Sequence, residues 1–185
     1  MTRLTRVNSF MRVLTLAVCA LASPIFAHEG EEDEPRSAVV LDADSQAVIA
    51  TLDAFAAAYQ ATDVDAIHRL TLPDGQFSHI EGTFADWSWE SYAGHLAEEM
   101  PSFSETRYQL SNIRPETHGE MAFATFDWSL DVVILSDQFE GGRHPVSMQG
   151  IGTVVLIKAE GRWKLRHLHT VRAKAPDPES SVGDG

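Results

Sequence analysis

The sequence predicts an α+β fold in which N-terminal helices pack on one side of a curved antiparallel sheet. Apolar residues recur at helical spacing between residues 45 and 100, and they alternate with polar residues from about residue 108 onward. Helices followed by a run of antiparallel strands are typical of this class. The third observation is a β-hairpin over residues 150–174, in which two apolar strands are joined by the polar, glycine-containing turn 159–162.

The first 27 residues have the pattern of a secretory signal peptide. Three arginines precede a short apolar run, which ends near Pro24 and the small residue Ala27. We place cleavage after Ala27, with a cut after Ala22 as the alternative, and we expect a periplasmic or secreted protein. Cys19 fits a lipoprotein box only loosely, because the residue before it is not small, so lipidation is the lesser alternative.

Charge and cysteine content narrow the function classes. Cys19 is the only cysteine, so cleavage would leave 158 residues that have no disulfide or thiolate chemistry. The leader contains three arginines and no acidic residue, and its removal takes the formal charge from −13 to −16. Such a charge repels phosphate backbones and anionic lipid. We therefore expect no appreciable binding to nucleic acid at physiological salt, and no later segment has the length and apolarity of a membrane span.

Most of the remaining chain is expected to form one domain. Residues 28–36 are mostly acidic and have nothing to bury, so we predict a disordered tether, and residues 175–185 are predicted to be a disordered tail. The folded domain is placed at residues 37–174. A mature N-terminal His28 would offer an amine and an imidazole, a pair that could chelate Cu(II).

Two helices open the domain. Residues 45–59 carry one apolar stripe at helical spacing, and Asp44 or Ser45 can cap this helix. A second, short helix begins after Asp63 and ends before the turn at residues 72–75. We therefore expect the two helices to be joined by a short connection.

A short strand and a third helix follow. Residues 77–81 are predicted as a strand that places His79 and both ends of the segment on one face. Ser88 can cap the third helix. His95 lies three residues after Tyr92, beside the buried stripe of this helix, so it can point into a cavity next to the stripe.

The second half of the domain alternates with a period of two. Strands are predicted at residues 108–114 and 120–135, with a turn at 115–119. The opposite face of the longer strand changes from apolar to polar toward Asp127, which indicates a face that ends in a wet pocket or at solvent. The apolar face of that strand consists of Ala122, Ala124, Phe126, Trp128, Leu130 and Val132.

The last strand carries two histidines among apolar residues. By the period-two rule, one face holds Trp163, Leu165, His167, His169 and Val171. This face should meet a core or a cavity, while Leu168 belongs to the opposite face. The alternative interpretation is that both histidines are ordinary half-buried residues, hydrogen-bonded to their neighbours.

The sequence resembles the NTF2-like superfamily, in particular its SnoaL-like, ketosteroid-isomerase-like branch. The resemblance rests on the order of these elements, on Asp63 after the first helix, and on residues 161–165 followed by the two histidines. The resemblance covers residues 47–172. It implies a cone-shaped fold in which a strongly curved antiparallel sheet wraps around the helices and leaves a pocket at its open end. Members include isomerases, cyclases, dehydratases, hydrolases and non-catalytic binding proteins, so the fold alone does not decide the function.

The resemblance and the residue types together give a candidate site for a small, largely apolar molecule, without a cofactor. A strand histidine could act as acid or base near neutral pH, the aspartate could orient it, and the tyrosine could donate to an oxyanion. Isomerase-like or dehydratase-like turnover is left open. The expected catalytic residues are His169, His167, Asp127 and Tyr92. The expected ligand-binding residues are His79, His95, Trp163 and Trp89.

Two other classes of function remain open. The first is a metal site for Zn or Cu, formed by His79, His95, His167 and His169. The second is an association module, because members of the superfamily often form homodimers through the sheet. The predicted dimer face comprises Ala122, Ala124, Phe126, Trp128 and Leu130.

Overall fold

The computed structural model describes residues 41–73 and 75–173, which form three helices on one face of a six-stranded sheet. The α+β architecture is therefore confirmed. The leader, the acidic tether and the C-terminal tail lie outside the described residues, so they stay predictions. Within the described ranges, no helix combines the length and the apolarity needed to cross a membrane.

Side-chain caps fix where the helices begin. Asp63 and Ser88 cap the second and third helices as predicted. The first helix begins earlier than expected, because Asp42 rather than Asp44 or Ser45 accepts a hydrogen bond, at 2.6 Å, from the backbone N–H of Ser45. The helices are α1 (Ala43–Gln60), α2 (Val64–Leu70) and α3 (Trp89–Glu99).

The strands form one sheet in the order β2-β1-β6-β5-β4-β3, and all neighbours are antiparallel except β1 and β6. The third strand extends beyond the predicted residues 108–114 and contains Pro115, which is tolerated because this strand lies at the sheet edge. The strands are β1 (Ser78–Glu81), β2 (Phe84–Asp86), β3 (Phe103–His118), β4 (Met121–Leu135), β5 (Arg143–Ala159) and β6 (Arg162–Arg172).

The apolar face of β4 is part of the core. Its residues pack in one cluster with Val48, Leu52 and Phe55 of α1, and none of those from Ala122 to Val132 on this face is more than 6% exposed. The sheet curves around the helices and covers this face within a single chain. The dimer face assigned from the sequence is therefore wrong, because its residues are already buried in the protomer.

A β-bulge in β6 changes the faces of the C-terminal strand. Leu165 and His167 pair with consecutive residues of β5, so Arg166 is left without a partner in the ladder. The extra residue shifts the alternation by one position. Leu168 and Thr170 consequently face the core, where they are 2% and 7% exposed.

The same bulge turns the histidine pair outward. His167 and His169 lie on the outer face of the sheet, and Nδ1 of His167 is 2.8 Å from the hydroxyl oxygen of Ser78. The assignment of both histidines to an inward face with Trp163 and Leu165 is wrong beyond the bulge. It failed because the period-two rule assumes an uninterrupted strand.

Candidate functional site

A small cavity lies between the inner face of the sheet and helices α1 and α3. Its volume is about 50 Å³, which is room for a few water molecules. Its apolar walls are Phe55, Leu96, Trp128, Leu130, Met148 and Leu168. Its polar lining is Tyr59, His79, Glu81, Tyr92, His95, Glu99, Tyr108 and Thr170.

A buried aspartate organises the polar end of the cavity. Asp86, the last residue of β2, is 1% exposed. Its Oδ2 atom lies 3.4 Å from Nδ1 of His79 and 3.2 Å from Nδ1 of His95, and its Oδ1 atom accepts a 2.7 Å hydrogen bond from Ser91. One carboxylate therefore orients two imidazoles, as a buried charge requires when it has no contact with water.

Local structure brings these groups together. The β1–β2 hairpin pairs His79 directly with Asp86. Helix α3 starts three residues after Asp86, and Ser91, His95 and Glu99 are spaced four apart along it, so they lie on one helix face. Nε2 of His95 is 3.0 Å from Oε1 of Glu99, so the second imidazole is held between two carboxylates.

The two histidines have opposite electrostatic environments. Burial lowers the pKa of His79 to about 4, although the hydrogen bond and the charge of Asp86 oppose this shift. The hydrogen bond to Glu99 is the main reason that the pKa of His95 is raised to about 9. Burial acts to raise the pKa of Asp86, but hydrogen bonds from Ser91, His95 and His79 outweigh it, and the pKa is lowered. At neutral pH the cluster thus holds a neutral imidazole, a carboxylate and an imidazolium.

Three tyrosines line the cavity, and their hydroxyls have no hydrogen-bond partner among the described residues. Tyr59, Tyr92 and Tyr108 all line it. Across the described part of the chain, Nε1 of Trp163 is the one side-chain polar atom that is fully buried and has no partner. The three tyrosine hydroxyls are therefore not fully enclosed, and they retain access to the cavity space. Burial raises the pKa of all three, and each therefore stays protonated and able to donate a hydrogen bond.

The cavity contains three of the residues that the sequence singled out. His79, His95 and Tyr92 line it together, and the rings of His79 and Tyr92 are 4.5 Å apart between centroids. His167 and His169 are on the other face of the sheet, so they can join neither this site nor a metal site with the first two histidines.

Three other predicted residues also lie away from the cavity. Asp127 is on the outer face of β4, where it accepts a 2.6 Å hydrogen bond from Asn112. The Trp89 ring stacks on His68 with centroids 4.4 Å apart, and Trp163 is buried in the core without lining the cavity.

Sequence reasoning missed Asp86, Glu99 and two tyrosines of the site. The local signal for Glu99 was its position four residues after His95. The signal for Asp86 was the sequence from Glu81 to Phe84, which contains Gly82 and forms the tight turn of the β1–β2 hairpin. Tyr59 and Tyr108 gave no such signal, because they meet only through the packing of α1 on β3.

A curved sheet around three helices, with a polar cluster at an internal cavity, defines an NTF2-like pocket domain. The chain belongs to the SnoaL-like domain family, whose model matches residues 48–170. No curated protein matches the sequence significantly.

Several solved structures share the fold at low sequence identity. A candidate dehydratase of the NTF2-like family from Streptomyces avermitilis is 17% identical with a TM-score of 0.63, covering 71% of this chain and 98% of its own. A candidate scytalone dehydratase from Novosphingobium aromaticivorans is 14% identical with a TM-score of 0.61, covering 71% and 85%. A ketosteroid isomerase-like protein from Erwinia carotovora atroseptica is 13% identical with a TM-score of 0.58, covering 73% and 100%. At these identities, the similarity establishes the fold alone.

The contribution of the two histidines to stability should be greatest near pH 6.5, the ordinary histidine pKa. Below it, the unfolded state protonates before His79, whose folded pKa is about 4, so stability falls as pH falls. Above it, the unfolded state loses its proton before His95, whose folded pKa is about 9, so stability falls as pH rises. The loss of unfolding free energy should be on the order of 1–3 kcal/mol on the acid side, and of the same order on the alkaline side.

Urea unfolding between pH 4.5 and 9, in buffer with a chelator, checks this prediction. His79→Gln should flatten the acid side of the profile, and His95→Gln should flatten the alkaline side. Identical profiles for both variants and the original chain would contradict it.

Proposed function

We propose that this cavity binds a small, largely apolar molecule and transfers a proton on it, with His79 as the base. The observation that carries the proposal is the orientation of one imidazole. Nδ1 of His79 faces Asp86, and Nε2 has no hydrogen-bond partner among the described residues while the ring lines the cavity. A proton held on Nδ1 by the carboxylate leaves the lone pair on Nε2, as a general base requires.

His95 has a different role in this proposal. Both of its ring nitrogens are engaged, by Asp86 on one side and by Glu99 on the other. It therefore has no free lone pair, and it stabilises the charge of the Asp86 carboxylate. In this proposal His79 is the reacting group, and His95 is a positioning residue that acts through Asp86.

The tyrosines supply the acidic half of the reaction. When a base removes a proton from carbon next to a carbonyl, the electron pair moves to the carbonyl oxygen, which then needs hydrogen-bond donors. Tyr59, Tyr92 and Tyr108 offer such donors in the same cavity. Return of the proton to another carbon gives an isomerase, and loss of a neighbouring hydroxyl as water gives a dehydratase. The names of the dehydratase and isomerase-like structures that share the fold support this reaction class.

The proposal is tested with small ketones as probes. Acetone or butanone in D2O should incorporate deuterium next to the carbonyl faster with the protein than in buffer, as followed by NMR. We expect His79→Gln to lower this rate by roughly 100-fold or more, the usual scale of general base catalysis.

His169→Gln is the matched control, since it removes an imidazole from the outer face of the same sheet. The control should exchange at the rate of the original chain. Exchange at the buffer rate for every ketone, or equal loss in both variants, would refute the proposed function.

A further inference from the structure

His79, Asp86 and His95 offer three ligand atoms that lie close together. These atoms all lie within 4.8 Å of one another. From this geometry we infer that the three residues form a binding site for a divalent transition-metal ion, for which Zn²⁺ is the natural probe. The inference does not depend on the proton-transfer reaction, because metal binding is measured directly.

The spacing of the ligand atoms fits a metal coordination shell. Zinc bonds of about 2.0–2.1 Å in a tetrahedron place neighbouring ligand atoms roughly 3.3 Å apart. Oδ2 of Asp86 lies 3.4 Å and 3.2 Å from the two Nδ1 atoms. Two of the three distances between ligand atoms thus already match a tetrahedron. Rotation of the imidazole rings can shorten the third distance, between the two histidine nitrogens.

The groups behind these ligands match an outer coordination shell. A metal-bound histidine usually donates its other ring N–H to a carboxylate, and a metal-bound carboxylate is itself hydrogen-bonded. Nε2 of His95 is 3.0 Å from Glu99, and Oδ1 of Asp86 accepts the hydroxyl of Ser91. Two of the three ligands are therefore oriented as they would be around an ion.

The chemistry of the ligands selects the kind of metal. Two imidazoles and one carboxylate suit zinc, cobalt, nickel or copper, whereas magnesium and calcium prefer shells made of oxygen atoms. Three protein ligands leave a fourth position for water or a small ligand. Because His79 and His95 both line the cavity, the ion can enter from that side.

Metal binding and the base role of His79 exclude each other. An ion bound at Nδ1 leaves the imidazole proton on Nε2, so the cavity then meets an N–H donor instead of a lone pair. The metal-loaded protein should therefore hold small ligands through the ion. Zn²⁺ should also suppress any ketone exchange shown by the metal-free protein.

The test is Zn²⁺ titration of the chelator-stripped full chain by calorimetry, together with the absorption spectrum of the Co²⁺ form. We expect one Zn²⁺ bound at this site, with an intense visible Co²⁺ spectrum typical of four-coordinate geometry. Asp86→Asn should abolish this binding and the spectrum. Glu99→Gln, which changes a partly exposed residue and keeps the fold, should weaken binding by about 10–100-fold.

The matched control is the double variant His167→Gln with His169→Gln, which removes as many imidazoles from the outer face. It should bind Zn²⁺ like the original chain. The inference is overturned if Zn²⁺ binds no tighter than millimolar, if Glu99→Gln binds as tightly as the original chain, or if the outer-face variant loses the Co²⁺ spectrum.

Discussion

Asp86→Ala should lower the free energy of unfolding by about 3–5 kcal/mol, the scale for removing one partner from a buried charged network. The 1% exposed carboxylate accepts from Ser91 and faces Nδ1 of both His79 and His95. Its loss leaves these groups without their acceptor at a buried position. Urea unfolding at neutral pH measures the change.

Asp127→Ala is the control for this substitution. Asp127 also accepts a hydrogen bond, from Asn112, but it lies on the outer face of the sheet, where water can take the place of the carboxylate. We expect a change of less than about 1 kcal/mol there. A similar loss in both variants would show that Asp86 is not the organising group of the cavity.

Gly150→Ala should destabilise the fold by about 3 kcal/mol or more. A Cβ atom at this buried position of β5 would lie 1.9 Å from the carbonyl oxygen of Val171 and 2.8 Å from the Trp128 ring. The carbonyl belongs to the neighbouring strand, where Arg172 pairs with Gly150, so it cannot retreat without opening the ladder. The Trp128 ring is fixed as well, because its Nε1 donates to Ile151 of β5.

Gly94→Ala should have the opposite effect on stability. This glycine lies within α3, and a Cβ atom there would meet nothing within 4 Å. The substitution should stabilise the protein by up to about 1 kcal/mol, because alanine favours the helix over glycine. In thermal unfolding, the melting temperature of Gly150→Ala should be lower than that of the original chain, and that of Gly94→Ala should be higher. Equal tolerance of both would mean that β5 and β6 separate more easily than their register implies.

Features that depend on near neighbours in the chain could be predicted from the sequence. The caps Asp63 and Ser88 each act on a residue three positions later, and the C-terminal hairpin turn is equally local. The pattern of helices followed by strands gave the fold class for the same reason. Even Tyr92 and His95 were placed correctly, since helical spacing sets their direction relative to the buried stripe.

The histidine pair shows where this reasoning stops. The spacing Leu165 to Leu168 is three residues, which already breaks strict alternation, and the break is the only local sign of the bulge at Arg166. A bulge is set by the fit of one strand to its neighbour. When the neighbouring strand is unknown, the period-two rule assigns both histidines to the wrong face of the sheet.

The turn before Asp86 has a local signal, but the neighbours that Asp86 packs against could not be predicted, for a related reason. Strand β2 has three residues, too few to show a period, and its position depends on β1, which in turn depends on β6. The centre of the site is thus fixed by a pairing between distant parts of the chain.

The parallel pairing of β1 with β6 has a consequence for the order of folding. Ser78 and His167, which meet across this pair, are 89 residues apart in sequence. Strands β3, β4 and β5 join neighbours in the chain and can form first, whereas closing so long a loop is slow. During synthesis, the hairpin that contains His79 and Asp86 has no strand to join until β6 has been made. We therefore expect the cavity to be the last part of the domain to assemble, after strand β6 has left the ribosome.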